Sequence, residues 1–441
     1  MLQKAGQRMN WFMVASISCL WSFFSGPSVI LAQDLFSPIQ DYIPERRENQ
    51  SRTSDGHLIS PAAANVPGLG FFYGIIGGLF NVVNSESDLF VYRFWGEVSG
   101  AGLGLVDVPI TDARFTLNLF HNVFDKAPQE IHRRGIDSDV EDVLIQKSNY
   151  YDVTLAQMNY RVLDRRIQLN LGINRQRKSI NGFFDRVGNS VAPGSKTSST
   201  SYNLSYGIIL DLTDDRYDPR KGLQMEAFRY DKLKQKNNDP SYFNMDYNFL
   251  FFIPVLSYST WVFNAYRSDA VLSRPGALDE ETVRQDLDFQ CDTLQDTRDK
   301  EVCLNREKNL VEDKLAANRH GTSIPLGGTQ RLQAYPTNRF QASHSQSFGT
   351  ELRLNMTQEF SPFNIVLLRG IRTGVQFAFF YEYGIVADST RILTEINSYK
   401  KSYGGGLRLL LASGFVIRCD VAKGSEGFQP ILIFQYPWNV F

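Results

Sequence analysis

The feature that most constrains this chain is a two-residue rhythm that returns along most of its length. In SYNLSYGIIL, Tyr202, Leu204, Tyr206, Ile208 and Leu210 fall on one face of an extended segment, and Ser201, Asn203, Ser205 and Gly207 on the other. IQLNLGIN sets Ile167, Leu169, Leu171 and Ile173 against Gln168, Asn170, Gly172 and Asn174. Phe243, Met245, Tyr247, Phe249 and Phe251 oppose Asn244, Asp246 and Asn248, and Phe348, Leu352, Leu354 and Met356 oppose Glu351, Arg353 and Asn355. Successive side chains of a strand point to opposite faces, so the pattern specifies strands.

A sandwich also alternates. Here the second face is small and polar, rich in Asn, Gln, Ser and Gly, while the apolar face is long and edged by aromatic residues, of which there are 32 Phe, 20 Tyr and 5 Trp. A bilayer offers the backbone no water, so only helices or closed barrels can cross it. Beyond the first residues nothing approaches the roughly 18 consecutive apolar residues of a spanning helix. The expected fold is therefore all-β: a transmembrane antiparallel barrel of about 16 strands, with 14 possible, lipid outside and a wet lumen inside.

Strands are expected near residues 70–80, 87–107 (open to division into two), 113–123, 149–162, 165–177, 199–212, 221–232, 241–254, 257–269, 346–360, 371–386, 398–411, 414–423 and 428–441. The first residues read as an export signal over 1–32: Lys4 and Arg8 precede WFMVASISCLWSFF, and a small-residue cleavage site follows at Ala32. Residues 33–66 are polar around ERRENQSRTSDG and read as a periplasmic tether, leaving 67–441 for the barrel. The 46 basic and 47 acidic residues nearly cancel, which gives no electrostatic reason to propose nucleic acid as a partner.

The longest connection runs over 270–345 and should be extracellular, folded toward the lumen. Within it DKEVCLNREKNLVEDKLA reads as a short helix, and Cys291 and Cys303 are placed to form a bridge suited to an oxidising compartment. The loop ends in LGGTQRLQAYPTNRF, with Gly327, Gly328, Arg331, Gln333, Tyr335 and Arg339. IHRRGIDSDVED, after Glu130, reads as a solvated loop.

LGGTQRLQAYPTNRF resembles the inward-folding loop of the BamA and TamA type outer-membrane assembly proteins, the bacterial surface antigen family. DDRYDPRKGL (214–223), VQFAFFYEYGIVAD with Glu382, and YGGGLRLLLASGFVIRCDVA (403–422) are similar to further segments of that family, in the same order, and the chain stops at the aromatic Phe441. The resemblance implies a 16-strand barrel whose loop arginine pairs with an acidic wall residue. Gln333 and Ala334 stand where that family has Arg and Gly, so Arg331 or Arg339 is expected to pair with Glu382. The periplasmic POTRA modules of insertases of that family have no counterpart in the tether.

The resemblance implies a part in outer-membrane protein insertion, secretion or membrane biogenesis in a Gram-negative outer membrane. The alternative is a passive pore, or a lipid or solute channel, gated by the long loop. Pro430 and Pro437 cannot donate to a ladder, which suits either a weak closing seam or a bulge at the membrane interface. The expected partners are outer-membrane lipid, client proteins or a separate module-bearing periplasmic protein. No enzymatic role, cofactor or metal is expected: His57, His121, His132, His320 and His344 show no metal-ligand spacing, and no Gly-x-Ser-x-Gly turn occurs.

Overall fold

The computed structural model describes residues 56–441, apart from 83–86, 111–113, 164, 187, 193–196, 217, 234–236, 257–258, 358–362, 366–367, 372, 396–397, 412–415 and 439–441. The wall begins with β1 (Gly56–Val66), β2 (Gly70–Phe80), β3 (Asp88–Gly96), β4 (Ser99–Pro109), β5 (Phe115–His132) and β6 (Val143–Val162). β7 (Ile167–Phe184) follows, and the short β8 (Ser190–Ala192) hangs from its upper end. Then come β9 (Thr197–Asp211), β10 (Gly222–Lys232), β11 (Ser241–Val255), β12 (Ser259–Arg274) and β13 (His344–Asn355). β14 (Phe363–Ile365) and β15 (Leu368–Ile371) make a small hairpin before β16 (Thr373–Ala387), β17 (Lys400–Leu411), β18 (Val416–Gly424) and β19 (Gly427–Ile433).

Setting β8, β14 and β15 aside, sixteen strands pair antiparallel in chain order, and β19 returns to β1 to close the barrel. The division of 87–107 into two strands is settled by β3 and β4, joined at Glu97 and Val98. The barrel also starts earlier than expected. GHLISPAAANV, assigned to the tether from sequence, is β1, paired with β2 from Gly56 opposite Phe80 to Val66 opposite Gly70. Its alanines and Pro61 carry almost no alternation signal, which is why composition hid it.

Apolar side chains such as Ile75, Val91, Leu103, Leu171, Phe249, Phe379 and Leu407 point outward and are exposed. No helix among the described residues is long and apolar enough to cross a membrane. A tilted strand needs about 9–11 residues for the hydrocarbon layer. β3 meets that with nine, whereas β5, β6 and β7, at 18, 20 and 18 residues, continue above it and carry the loops.

The inner face is not uniformly polar, as the sequence suggested. On β10–β13 and β16–β18 it is charged and amide-rich, with Glu226, Asn248, Glu351, Glu382, Arg408 and Asp420 all buried. On β2–β6 it carries Phe90, Tyr92, Phe120 and Phe124 opposite a run of small residues, Gly100, Gly102 and Gly104.

Candidate functional site in the barrel lumen

The connection between β12 and β13 spans 275–343 and holds α1 (Glu280–Leu287) and α2 (Thr297–His320). α2 is longer than the short helix expected. Asp296 caps it, its carboxylate accepting the N–H groups of Arg298 and Asp299, and Gly321 ends it. Cys291 and Cys303 are joined, with their Cα atoms 5.6 Å apart, in a small cluster with Phe289.

After α2 the chain turns down into the lumen. Leu326 and Phe340 pair across a narrow hairpin, Leu326 N–H donating to Phe340 O at 3.0 Å and Phe340 N–H returning a bond at 2.9 Å. The glycine pair is a backbone requirement. Gly327 and Gly328 have φ of 109° and 108°, and a Cβ on Gly327 would lie 2.3 Å from the carbonyl of Pro336. The tip residues Leu332, Gln333, Ala334 and Tyr335 are fully buried, and Leu332, Ala334 and Tyr335 share one cluster with Tyr266, Phe380 and Ile431. The loop is thus a plug resting on β11, β12 and β16–β18.

Glu382 is central to that contact, but not as expected. Arg331 and Arg339 do not reach it. Gln333 N–H donates to Glu382 Oε2 at 2.9 Å, the Gln333 side-chain amide to Oε1 at 3.2 Å, and the Trp438 indole to Oε1 at 2.7 Å. Arg331 stacks over the Tyr266 ring at 3.6 Å and donates to Asn248 Oδ1 at 3.2 Å and Trp438 O at 3.4 Å. Arg339 pairs with Glu426 at 2.9 Å and donates to Ser138. The two arginines bond elsewhere, so the buried carboxylate is satisfied by the Gln333 amides and the Trp438 indole instead.

Two further anchors hold the tip. Ala334 N–H donates to Ser402 Oγ at 3.0 Å, and Tyr335 Oη donates to Lys401 O at 3.1 Å. Arg418 donates to Gln333 Oε1 at 3.3 Å and to Thr329 O at 2.5 Å. Beside them Glu351 accepts from Arg408 at 2.7 Å and from Arg353 at 2.6 Å, and Asp420 lies 3.5 Å from both Arg408 and Arg418. Arg408, Arg418 and Asp420 lie in the glycine-rich hairpin segment singled out from sequence, but nothing there marked them as lumenal.

The upper rim overturns another expectation. IHRRGIDSDVED is not merely a solvated loop. Arg133 bridges Asp142 at 3.4 Å and, on α2, Glu312 at 3.2 Å and Asp313 at 2.9 Å. Arg134 donates to Asp388 at 2.5 and 3.1 Å, to Thr322 Oγ1 at 3.0 Å and to Gly321 O at 2.8 Å. One guanidinium therefore ties three loops together. Burial acts to raise the Asp388 carboxyl, but the Arg134 bonds and charge and the Ser343 N–H outweigh it and hold the group below its ordinary value. Burial pushes Asp313 up despite Arg133.

At the seam, β19 follows β18 from Gly427 opposite Gly424 to Ile433 opposite Arg418. Against β1, the pairing among the described residues is Asn65 opposite Leu432, with the Asn65 amide donating to Pro430 O at 2.5 Å. The lower end of β1 pairs instead with β15, His57 opposite Arg369 and Leu58 opposite Leu368. The closing strand was expected to run on past Pro437. It stops at Ile433, and Pro437 sits in a turn with Tyr436 and Trp438 buried beside it. Tyr436 donates to Asp218 Oδ1 at 3.0 Å, and Pro437 lacks the N–H that a continued ladder would need. Phe441 lies outside the described residues.

Among the described residues no cluster of His, Cys, Asp or Glu could hold a metal ion. Cys419 is an unbonded thiol on the outer face of β18.

No protein-family model and no curated protein matches the chain. Among solved structures it is similar to BamA from Haemophilus ducreyi lacking POTRA domains 1–3, at 12% identity and a TM-score of 0.43, covering 86% of this chain and 69% of that one. It is also similar to CdiB from Escherichia coli, at 12% identity and a TM-score of 0.44, and to CdiB from Acinetobacter baumannii, at 9% and 0.45. Each CdiB match covers 86% of this chain, which spans 59% of the length of each CdiB chain.

Proposed function

We propose that this chain is an outer-membrane barrel that takes part in inserting or secreting other proteins, or in membrane biogenesis, by parting its wall between β1 and β19. The observation that carries this is the seam, where a single pair, Asn65 with Leu432, stands in for a ladder among the described residues. Between its β15 pairing at His57 and Leu58 and the Asn65–Leu432 pair, the β1 edge has no further strand partner among the described residues, and a backbone group left unsatisfied against lipid costs several kcal/mol. An incoming strand relieves that cost by completing the ladder, which makes the edge a template for β-augmentation.

The plug supports the same role. With Leu332 to Tyr335 fully buried against the wall, the lumen is obstructed on the side of β11–β18, and a sideways path is favoured over an open axial pore. Arg331 also donates to the carbonyl of Trp438, in the segment that follows β19. On this reading the clients are other outer-membrane or secreted chains, delivered with the help of a separate periplasmic protein, and no catalytic chemistry is involved.

The test is a lock. Asn65→Cys with Leu432→Cys joins the seam covalently. A vesicle assay that follows insertion of an unfolded barrel reporter should lose most of its acceleration when the pair is oxidised and regain it on reduction. An oxidised protein that works as well as the reduced one rules lateral opening out.

A further inference from the structure

We propose that Thr337, on the plug, is an extracellular latch that holds the β1–β2 hairpin to the β19 side of the seam, and that the wall parts only when this contact breaks. The inference concerns the regulation of the seam and rests on the role proposed above.

The plug tip is committed to one side of the seam. It is bonded to Glu382 on β16, to Ser402 on β17 and to Arg418 on β18. The loop also grips β19 beyond both of its ends. Before the strand, Tyr335 Oη lies 3.0 Å from Ser425 Oγ, and Arg339 pairs with Glu426. After it, Arg331 donates to Trp438 O at 3.4 Å. Arg339 reaches Ser138 as well, in the loop between β5 and β6, away from the seam. The last strand and the plug thus form one body, and parting them means giving up buried bonds.

Thr337 reaches the other way. Its N–H and its Oγ1 both donate to Pro67 O, at 2.9 and 2.6 Å, in the turn between β1 and β2. Pro67 stands just past Asn65, which pairs with Leu432 across the seam. The next carbonyl of the turn, Gly68 O, accepts from Glu130 N–H at 3.3 Å, so the turn is braced to β5 on its own side of the wall. Two bonds to one carbonyl therefore join bodies that belong to opposite sides of the seam. Two glycines make so close an approach possible. A Cβ on Gly68 would lie 3.0 Å from Thr337 N, and one on Gly328 would lie 2.9 Å from Thr337 Oγ1. The threonine is held in a slot bare of side chains, with its hydroxyl set on the carbonyl. Neutral hydrogen bonds are weaker than the charge-assisted ones elsewhere on the plug, which suits a contact that must break and re-form.

The test is hydrogen exchange of the full chain in vesicles, followed at residues 64–66 and, across the seam, at 427–433; it reads opening without any client. Thr337→Val keeps the side chain's shape but loses the Oγ1 bond, and exchange on both sides should rise about fivefold. Thr337→Ser, which keeps the hydroxyl, should exchange at the wild-type rate. Gly68→Cys with Pro336→Cys ties the turn to the plug without touching β19. A Cβ on Gly68 lies 3.2 Å from Pro336 Cβ, near the spacing of about 3.5–4.5 Å in disulfides. Oxidised, that protein should exchange more slowly at 427–433 than its own reduced form, and adding Thr337→Val should change nothing. Acceleration confined to the β1 side, a serine variant as fast as the valine one, or an oxidised tie without effect at 427–433 would each overturn the latch. If these exchange results hold while insertion ignores the oxidised Asn65→Cys and Leu432→Cys pair, the latch stands and the client role falls.

Discussion

Gln333 holds Glu382 with both its backbone N–H and its side-chain amide, 2.9 Å and 3.2 Å from the two carboxylate oxygens. A neutral residue thereby takes the position at which a cation was expected, and the buried charge is met by three neutral donors once the Trp438 indole is included. Hydrogen bonds to a charged acceptor contribute about 1.5–3 kcal/mol each, so a carboxylate can be buried in this way. The contact joins the loop tip, the β16 wall and the segment after β19.

Glu382→Ala removes the shared acceptor and strands the Gln333 N–H and the Trp438 indole in a closed site. Each unsatisfied donor costs about 1–3 kcal/mol, so the plug should detach before the barrel unfolds. Planar-bilayer recordings should show a conductance rise of severalfold over the wild type, with the urea midpoint of the barrel little changed. Arg331→Ala with Arg339→Ala should raise conductance through separate anchors, the Tyr266 ring and Glu426. An electrically silent E382A protein would mean that the plug stays seated without this contact.

How much of this was legible beforehand depends on what each residue had to encode. The strands from β7 to β13 announced themselves because one face meets lipid and the other meets a polar lumen, and period-two alternation records that difference. β1 was missed because a strand of Ala, Ser and Pro has no such contrast. The glycine pair at Gly327 and Gly328 was visible because positive φ restricts the residue type. The partners of Glu382 were not, since pairing across 49 positions follows from how deep the hairpin inserts, which no local pattern carries. The same holds for Arg134, whose three loops lie far apart in the chain.

Replacing Cys291 and Cys303 by serine opens a loop with a sequence separation of 12, which the chain-entropy model values at about 3 kcal/mol. The effect should remain local. Hydrogen exchange should speed up around α1 and the start of α2, while residues 326–340 keep wild-type protection because their anchors lie on the barrel wall. Equal acceleration in both regions would show that the bridge, and not the wall, positions the plug.

The Arg134–Asp388 tie gives the upper rim a pH dependence with a defined sign. Asp388 is depressed in the folded protein, so its contribution is present in full above the unfolded value of about 3.9 and is lost as pH falls through the lower folded value. Protease sensitivity of the 388–395 loop should thus be flat from neutral pH to about 4 and rise below it. Arg134→Gln, which leaves the carboxylate short of its cation, should make that loop sensitive at neutral pH, at a cost of about 1–3 kcal/mol. A wild-type loop that already loosened near pH 6 would assign the control to another group.

Trp438 lies flat on Gly349, where an added Cβ would sit 2.6 Å from the indole Cζ2. Gly349 is also the residue opposite Glu382 in the β13–β16 ladder, so the ring and the carboxylate share one patch of wall. Gly349→Val should push the indole off that patch and break its bond to Glu382. Trp438→Ala empties the same volume, at about 3–5 kcal/mol by analogy with other buried aromatic deletions. If the two changes act through one contact, the double variant should unfold at the same denaturant concentration as Trp438→Ala alone, since valine has nothing left to displace. Additive losses would mean that Gly349 serves the β-ladder itself, and that the indole is held by Glu382 and its own burial without needing the bare wall beneath it.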